Sequence, residues 1–353
     1  MAYTTIDDPE KYFKPVKYVG NLLQHPVEGF NHQPDWLWFK NADTTNSHNL
    51  LDSTRGTDKK IEGTNNNNAE ADTTTRLDSF DSDGFTVETD PSVNGNNNEI
   101  VVFSWAANGG SVTNVAESGD NPGFSRQTST TAGFSIIKYT GTGAVGTIAH
   151  GLGIVPDFII IKRLENADNW RTYDSVGGGT KAMRLNLNGA HGSSSSFYND
   201  TDATSSVFTV GTNSEINGDA ETYIAYVFGS VKGYSKIGSY VGNGNADGPL
   251  VYTGFKPSWV MVKKSNGGSH DWYIQYGNTT FDDVSQAVNP VKSSLIANSS
   301  GAKATENSMD FVNDGFKLRT SGNGHNTSGH TYIYMAFAQN PLVNSNGIPG
   351  NAH

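Results

Sequence analysis

The sequence predicts an all-β chain of three tandem homologous antiparallel domains, of β-sandwich or jelly-roll type, and three observations carry that expectation. The chain has 353 residues with 40 glycines and only 17% charged residues, a composition of strands and turns rather than helices. Its apolar runs are short, rich in aromatic and β-branched residues, and separated by clusters of Gly, Asn, Asp and Ser. Four landmarks then recur three times in one order, the mark of a triplicated unit of roughly 100 residues.

The first landmark is a strand that closes on Tyr-x-Gly. It runs from Tyr12 to Tyr18-Val19-Gly20, from Gly133 to Tyr139-Thr140-Gly141, and from Gly233 to Tyr240-Val241-Gly242. The second is a proline-led apolar run ending in lysine: Pro34-Asp35-Trp36-Leu37-Trp38-Phe39-Lys40, Pro156-Asp157-Phe158-Ile159-Ile160-Ile161-Lys162 and Pro257-Ser258-Trp259-Val260-Met261-Val262-Lys263. In the middle copy, Phe158, Ile160 and Lys162 face one way and Ile159, Ile161 and Arg163 the other. Both faces are apolar until the basic end, so this is a central strand. The proline, Pro34, Pro156 or Pro257, is expected to mark the strand start in all three copies, where a missing ladder donor does least harm. The third landmark is Gly84-Phe85-Thr86-Val87, Val207-Phe208-Thr209-Val210 and Gly315-Phe316-Lys317-Leu318. In the first and third copies it is fed by the turns Asp81-Ser82-Asp83-Gly84 and Asn313-Asp314-Gly315. The last is a closing strand ending at Trp105, Phe228 or Phe337.

These landmarks divide the chain into an N-terminal arm at 1–11, a first sandwich at 12–105, a Gly/Ser/Asn-rich joint at 106–132, a second sandwich at 133–232, a third at 233–340 and a tail at 341–353. Each copy is expected to hold its own core. The joint either flexes or carries an extra strand. Only Gly229-Ser230-Val231-Lys232 separates the second copy from the third, so those two are expected to abut rigidly.

The net charge of −11, without a basic run, argues against nucleic acid and anionic membrane surfaces as partners. The absence of cysteine removes disulfides, thiolate metal sites and cysteine nucleophiles together. The N-terminus has no basic start and no apolar signal region, and no apolar run approaches the ~20 residues of a membrane span. Synthesis in a host cytoplasm without membrane insertion is therefore expected. Four Asn-x-Ser/Thr sequons, at Asn199, Asn278, Asn298 and Asn326, match chance in so Asn- and Thr-rich a chain.

The strings Asp35-Trp36-Leu37-Trp38-Phe39-Lys40, Asp78-Ser79-Phe80-Asp81-Ser82-Asp83-Gly84-Phe85, His150-Gly151-Leu152-Gly153-Ile154-Val155-Pro156-Asp157-Phe158 and Gly238-Ser239-Tyr240-Val241-Gly242-Asn243-Gly244 resemble repeated domains of marine bacteriophage proteins, cyanophages included. Those proteins are described as virion structural or tail-fibre-like, and the similarity runs from about Tyr12 to Pro341. The resemblance implies lectin-like β-sandwiches with no catalytic residues to carry over. It departs from a usual tail fibre in lacking an anchor domain, a heptad shaft and a short-period β-helix. The expected function is a non-enzymatic virion structural protein on the particle exterior, a tail fibre or tail-associated protein that presents repeated domains for host attachment. Its expected partners are other virion proteins, further copies of itself in a homotrimer, and host cell-surface glycan. A capsid decoration protein, with the three copies at a local threefold, is the first alternative. A host-surface glycan-binding module or depolymerase is the second.

No catalytic, cofactor-binding or metal residue is assigned from the sequence, and no cofactor is expected. Asp78 to Gly84 offers closely spaced carboxylates for Ca²⁺, but the other copies keep only Asn313-Asp314-Gly315 and Ser205-Ser206 there, which favours a turn. His25 with His32, and His325 with His330, lack the spacing and third ligand of a zinc site. Gly177-Gly178-Gly179-Thr180-Lys181 lacks the spacing of a phosphate loop, and no Gly-x-Ser-x-Gly elbow occurs. Paired acids for glycoside hydrolysis depend on spacing in space. Trp36, Trp38, Trp170, Trp259 and Trp272 tempt a sugar-stacking reading, but they recur at strand positions and are assigned to the core. Ligand-facing residues are sought instead in loops that differ between copies: Thr64 to Ala71, Gly189 to Tyr198 and Phe281 to Val291. Limited proteolysis is expected to cut first within 106–132. A first cut inside Gly229 to Lys232, identified by mass spectrometry, contradicts this division of the chain.

Overall fold

The computed structural model describes residues 3–277 and 289–350. It is an all-β structure of antiparallel sheets, with helix confined to single turns. The first segment holds β1 (Phe13–Val19), β2 (His25–Glu28), β3 (Trp36–Asn41), β4 (Asn49–Asp52), β5 (Lys59–Glu62), β6 (Glu70–Asp72), β7 (Leu77–Asp81), β8 (Gly84–Val87) and β9 (Glu99–Trp105). These make a six-stranded sheet, β1-β9-β3-β4-β5-β6, faced by a three-stranded sheet, β2-β8-β7.

The next stretch adds β10 (Thr113–Val115), β11 (Phe124–Ser129), β12 (Phe134–Thr140), β13 (Gly146–Ala149), β14 (Phe158–Arg163), β15 (Arg171–Asp174), β16 (Lys181–Arg184), β17 (Gly192–Ser193), β18 (Val207–Val210) and β19 (Thr222–Phe228). Their sheets are β10-β11-β12-β19-β14-β15-β16-β17 and β13-β18. The third segment has β20 (Ser235–Val241), β21 (Leu250–Tyr252), β22 (Phe255–Lys264), β23 (Trp272–Tyr276), β24 (Val291–Ile296), β25 (Ala304–Val312), β26 (Gly315–Leu318) and β27 (Thr331–Pro341). They pair continuously as β20-β27-β22-β23-β24-β25-β26-β21. The 106–132 joint thus carries extra strands: β11 lies along β12, and β10 along β11.

The closing strand sits at the same register in every segment. Trp105 faces Phe13 on one side and Trp36 on the other; Phe228 faces Phe134 and Phe158; Phe337 faces Ser235 and Trp259. Pro257 departs from expectation, because β22 starts before it at Phe255. The ladder absorbs the missing donor by shifting register at Lys256, Pro257 and Trp259, a bulge of the kind that tolerates proline inside a sheet.

Alternation along the proline-led strands now has a physical meaning. Leu37, Phe39, Ile159, Ile161, Val260 and Val262 point into cores that belong to their own segments. Trp36, Trp38, Phe158, Ile160, Trp259 and Met261 point the other way, into one core common to all three. Each segment therefore has its own core, as expected, and all three also share a central one that was not expected from the sequence. A strand apolar on both faces requires a second partner for its second face, and the other two segments supply it.

At the centre of that shared core stand three residues near the ends of the closing strands. Ring centroids of Trp105 and Phe228 are 6.1 Å apart, Trp105 and Phe337 5.7 Å, and Phe228 and Phe337 6.1 Å, every pair edge-to-face. The segments also grip one another in a ring. His48, Trp170 and Trp272 occupy matching positions, each with its backbone N–H donated to an asparagine side chain, Asn65, Asn186 or Asn298. Their rings reach across the joints: the Trp170 indole donates to the Gly63 carbonyl, the Trp272 indole to the Arg184 and Leu187 carbonyls, and His48 Nε2 pairs with the Ile296 carbonyl. First to third, second to first and third to second, the circle closes.

The Tyr-x-Gly landmark is a tether. Tyr18, Tyr139 and Tyr240 donate their hydroxyls to the carbonyls of Val93, Ile216 and His325. The next residue in each case is a fully buried asparagine, Asn94, Asn217 or Asn326. Its side-chain oxygen accepts the N–H of the residue after the landmark glycine, and its amide donates to two flanking carbonyls. The glycine is required by approach. A Cβ on Gly20, Gly141 or Gly242 would sit 2.3, 2.4 or 2.3 Å from a backbone oxygen of that asparagine turn.

Because the central triangle belongs to all segments, truncating one corner is expected to weaken them together. Phe228→Ala should cost about 3–5 kcal/mol in denaturant unfolding. Tryptophan fluorescence, with indoles in every segment, should still report one transition. A variant that loses signal in two steps, one of them at the parental midpoint, would show the segments to be independent.

Candidate functional site

Two clefts lie at matching positions on the second and third segments. Arg171 on β15 and Tyr273 on β23 hold the same register, opposite Ile161 and Val262. Each is followed in space by the turn that precedes the buried asparagine, Asn213 to Ile216 in one case and Gly322 to His325 in the other.

The third-segment cleft, of about 610 Å³, is polar. Tyr273, His270, His325, Glu306, Asn323 and Arg319 line it. Tyr273 is half-buried and its ring centroid lies 4.5 Å from that of His325. His325 is buried, its Nε2 lacks a hydrogen-bond partner, and burial pushes its pKa down to about 4. Arg319 is held by Asp310. The arrangement offers one aromatic face with amide, imidazole, carboxylate and guanidinium groups around it, which suits a neutral polyhydroxylated ligand.

The second-segment cleft, of about 600 Å³, is built differently. The Arg171 guanidinium lies 3.9 Å over the Phe197 ring and pairs with Glu215, and Arg184, Asn188 and Ser194 complete the lining. In the first segment this place is filled, because Arg76 crosses it to reach Ser92, Glu62 and Asp90. Among the described residues, Glu306 lines one open cleft and Glu215 the other.

The structure sorts the sequence candidates. Trp36, Trp38, Trp170, Trp259 and Trp272 are all at most 1% exposed, so none offers a face to a sugar. Asp78 to Gly84 forms a hairpin in which Asp83 accepts the Gly29 and Asn31 N–H groups and Asp81 accepts the Thr86 hydroxyl. His32 is buried between the Glu10 carbonyl and the Ser104 hydroxyl, whereas His25 binds the Leu23 carbonyl. His330 faces Asn266 at the surface, apart from buried His325. Among the described residues no group of three His, Asp or Glu side chains is placed to hold a metal, and no helix is long and apolar enough to cross a membrane. Gly178 to Thr180 makes a single 3₁₀ turn, with Gly179 N–H bonded to Asp202.

Of the variable loops, Gly189 to Tyr198 does line a cleft, through Gly189, Ser194 and Phe197. Thr64 to Ala71 is free only in part, with Asn67, Asn68 and Ala71 exposed. Thr64 donates to the Ala297 carbonyl, Glu70 pairs with Arg55 and its N–H bonds the Leu164 carbonyl, so this loop is mortar between segments. Residues 281–288 of the third loop, like Asn278, lie outside the described residues. Sequence reasoning missed Tyr273, Glu306, Arg319, Arg171 and Glu215. Only register matching of β15 with β23 would have brought the first and fourth together.

Three lysines at the ends of the proline-led strands were also missed. Lys40, Lys162 and Lys263 are fully buried, each with Nζ donated to two backbone carbonyls, and burial lowers the pKa of each to about 8. They satisfy the carbonyls of the turns that follow or adjoin these strands.

The sequence pattern of the family described as "Domain of unknown function (DUF7483)" matches residues 8–341. The chain belongs to the DUF7483 family. One DUF7483 pattern covers all three segments and the joint, in keeping with a shared core that no segment completes alone. No curated protein and no solved structure matches the chain.

Burial keeps His32, His48 and His325 neutral in the fold, with pKa values lowered to about 4, about 3 and about 4. The unfolded chain binds these protons from its ordinary value near pH 6.5 downward, so the folded state loses ground as pH falls from there toward 4. Thermal melts should be flat near pH 7 and decline between 6.5 and 4.5, before carboxylates titrate. On the alkaline side they should rise from about pH 8, where Lys40, Lys162 and Lys263 release protons that the unfolded chain retains. His325→Phe should make that decline shallower, and an unchanged slope would show that this imidazole does not contribute.

Proposed function

We propose that this DUF7483 chain is a non-enzymatic structural and attachment protein on the exterior of a bacteriophage particle, tail-associated, with three homologous β-sandwich domains of jelly-roll, lectin-like type. The observation that carries it is the closed ring of three segments around Trp105, Phe228 and Phe337. A chain that forms its own pseudo-threefold body matches threefold positions on a larger assembly and spreads several surfaces around one axis. The resemblance of the repeated landmarks to marine phage proteins supports the setting. The homotrimer expected from the sequence is not needed for this role, because three segments of one chain take the place of three chains.

The same closure favours head-surface decoration as a second reading, with the single chain seated at a local threefold. Glycan binding draws on a separate observation, the polar Tyr273 cleft, and multivalency would raise its weak affinity.

Gold-labelled antibody against the chain, imaged on intact particles, separates these readings. Label at the tail is the expected result, label spread over the head moves the protein to decoration, and particles without label overturn the virion assignment. Sedimentation at micromolar concentration should give a single 37.9 kDa species, and a stable trimer would restore the homotrimer. On a glycan array, Tyr273→Ala should abolish any binding the parent shows.

A further inference from the structure

In all three segments the first strand is an edge toward which the sandwich opens, and each segment treats that edge differently. Hydrogen bonds fix which backbone groups point outward. Tyr12, Gly133 and Tyr234 give their carbonyls to the closing strands, so the alternate residues beginning at Phe13, Phe134 and Ser235 point away from them.

On the second segment the outward groups are used. β11 lies along β12 with Gln127 opposite Ile136 and Ser125 opposite Lys138, and the Thr140 N–H reaches the Gly123 carbonyl. Phe124, opposite Tyr139, joins the segment core to which Ile148 of β13 also belongs. The joint also ties to β13 itself, through Asn121 to Thr147 and Arg126 to the Ala149 carbonyl. One extended strand therefore closes the sandwich.

On the first segment the edge is blunted. Pro15 takes the outward position that Ile136 holds in β12, and Pro26 lies on the facing strand β2. Proline has no N–H to offer an incoming strand, which is how natural sheets protect exposed edges.

The third segment has neither a filler nor a proline. β20 pairs only with β27. The first two outward N–H groups are taken by its own chain, Ser235 by Val231 and Ile237 by Ser230. Those of Ser239 and Val241 face solvent on exposed residues. Around them Val241, Leu250 and Tyr252 are 58%, 54% and 58% exposed, an apolar rim along both lips of the opening. Tyr240 and Val251 stand where Tyr139 and Ile148 receive Phe124 in the second segment.

We propose that the β20 edge docks an extended strand of a partner protein, by β-augmentation, with an aromatic or aliphatic side chain of that strand joining Tyr240 and Val251 as Phe124 joins the core that holds Tyr139 and Ile148. The occupant is specified by β11: an extended segment with an apolar residue at one position and small polar residues at the alternate ones. Backbone pairing at Ser239 and Val241 supplies affinity, and the exposed apolar rim of Val241, Leu250 and Tyr252 supplies selectivity.

The test uses the full chain and a synthetic peptide of residues 121–131 as the probe. Saturable binding is expected, weakened about tenfold or more by Ser239→Pro and likewise by Phe124→Ser in the peptide. Hydrogen exchange of the unmodified chain gives a variant-free readout, with the Ser239 and Val241 amides exchanging fast alone and slowing when peptide is added. Absence of binding, or protection that maps elsewhere, overturns the proposal. So does a dimer of the free chain that already protects Ser239 and Val241 and that Ser239→Pro dissolves, because the occupant is then a second copy.

Discussion

The packing of Trp105, Phe228 and Phe337 against one another is the contact on which the rest of the architecture depends. Each stands near the end of the closing strand of its segment, and each is paired in register with an aromatic ring of a neighbouring strand. At the triangle itself the shared core is held by ring packing rather than by polar bonds. The indole N–H groups of Trp36, Trp105 and Trp259 find no acceptor there, a cost that the buried aromatic area must outweigh. Removing the triangle would leave three strands with an apolar face and nothing to cover it.

Two devices make the segments rigid enough to meet at that point. The tyrosine-to-carbonyl bond and the buried asparagine fix the end of the first strand to the turn before the closing strand, and the glycine lets the two backbones touch. The lysines then satisfy turn carbonyls from inside. A buried ammonium without a carboxylate partner is unusual, and here charge–dipole bonds to two carbonyls apiece stand in for one. Buried Arg55 takes the opposite course, between Asp52 and Glu70 with Tyr226 of the second segment on the same aspartate.

Much of this was legible in the sequence, because the landmarks are the residues on which the fold turns. The all-β class, the strand order within each copy and the burial of the tryptophans follow from alternation and repetition. The two apolar faces of Phe158 to Ile161 already implied a second neighbour, although the sequence does not say that it is the rest of the chain. What stayed hidden was long-range. His48 stands where the other copies have tryptophan, so similarity at that position is not visible. The 64–71 loop looks like free surface by composition, yet the Thr64 hydroxyl and the Glu70 N–H are bonded to carbonyls of the third and second segments. The clefts depend on residues brought together from β15 or β23 and the asparagine turn, which no local spacing encodes.

The closed circle of segments also frees this protein from a rule that binds true trimers. Where identical chains surround an axis, every substitution appears three times, and a face cannot change without its two copies changing too. Here one gene encodes all three faces separately. The filled, proline-guarded and open edges, and the plugged, arginine-lined and tyrosine-lined clefts, are the record of that independence: a body with threefold shape that can point in a single direction.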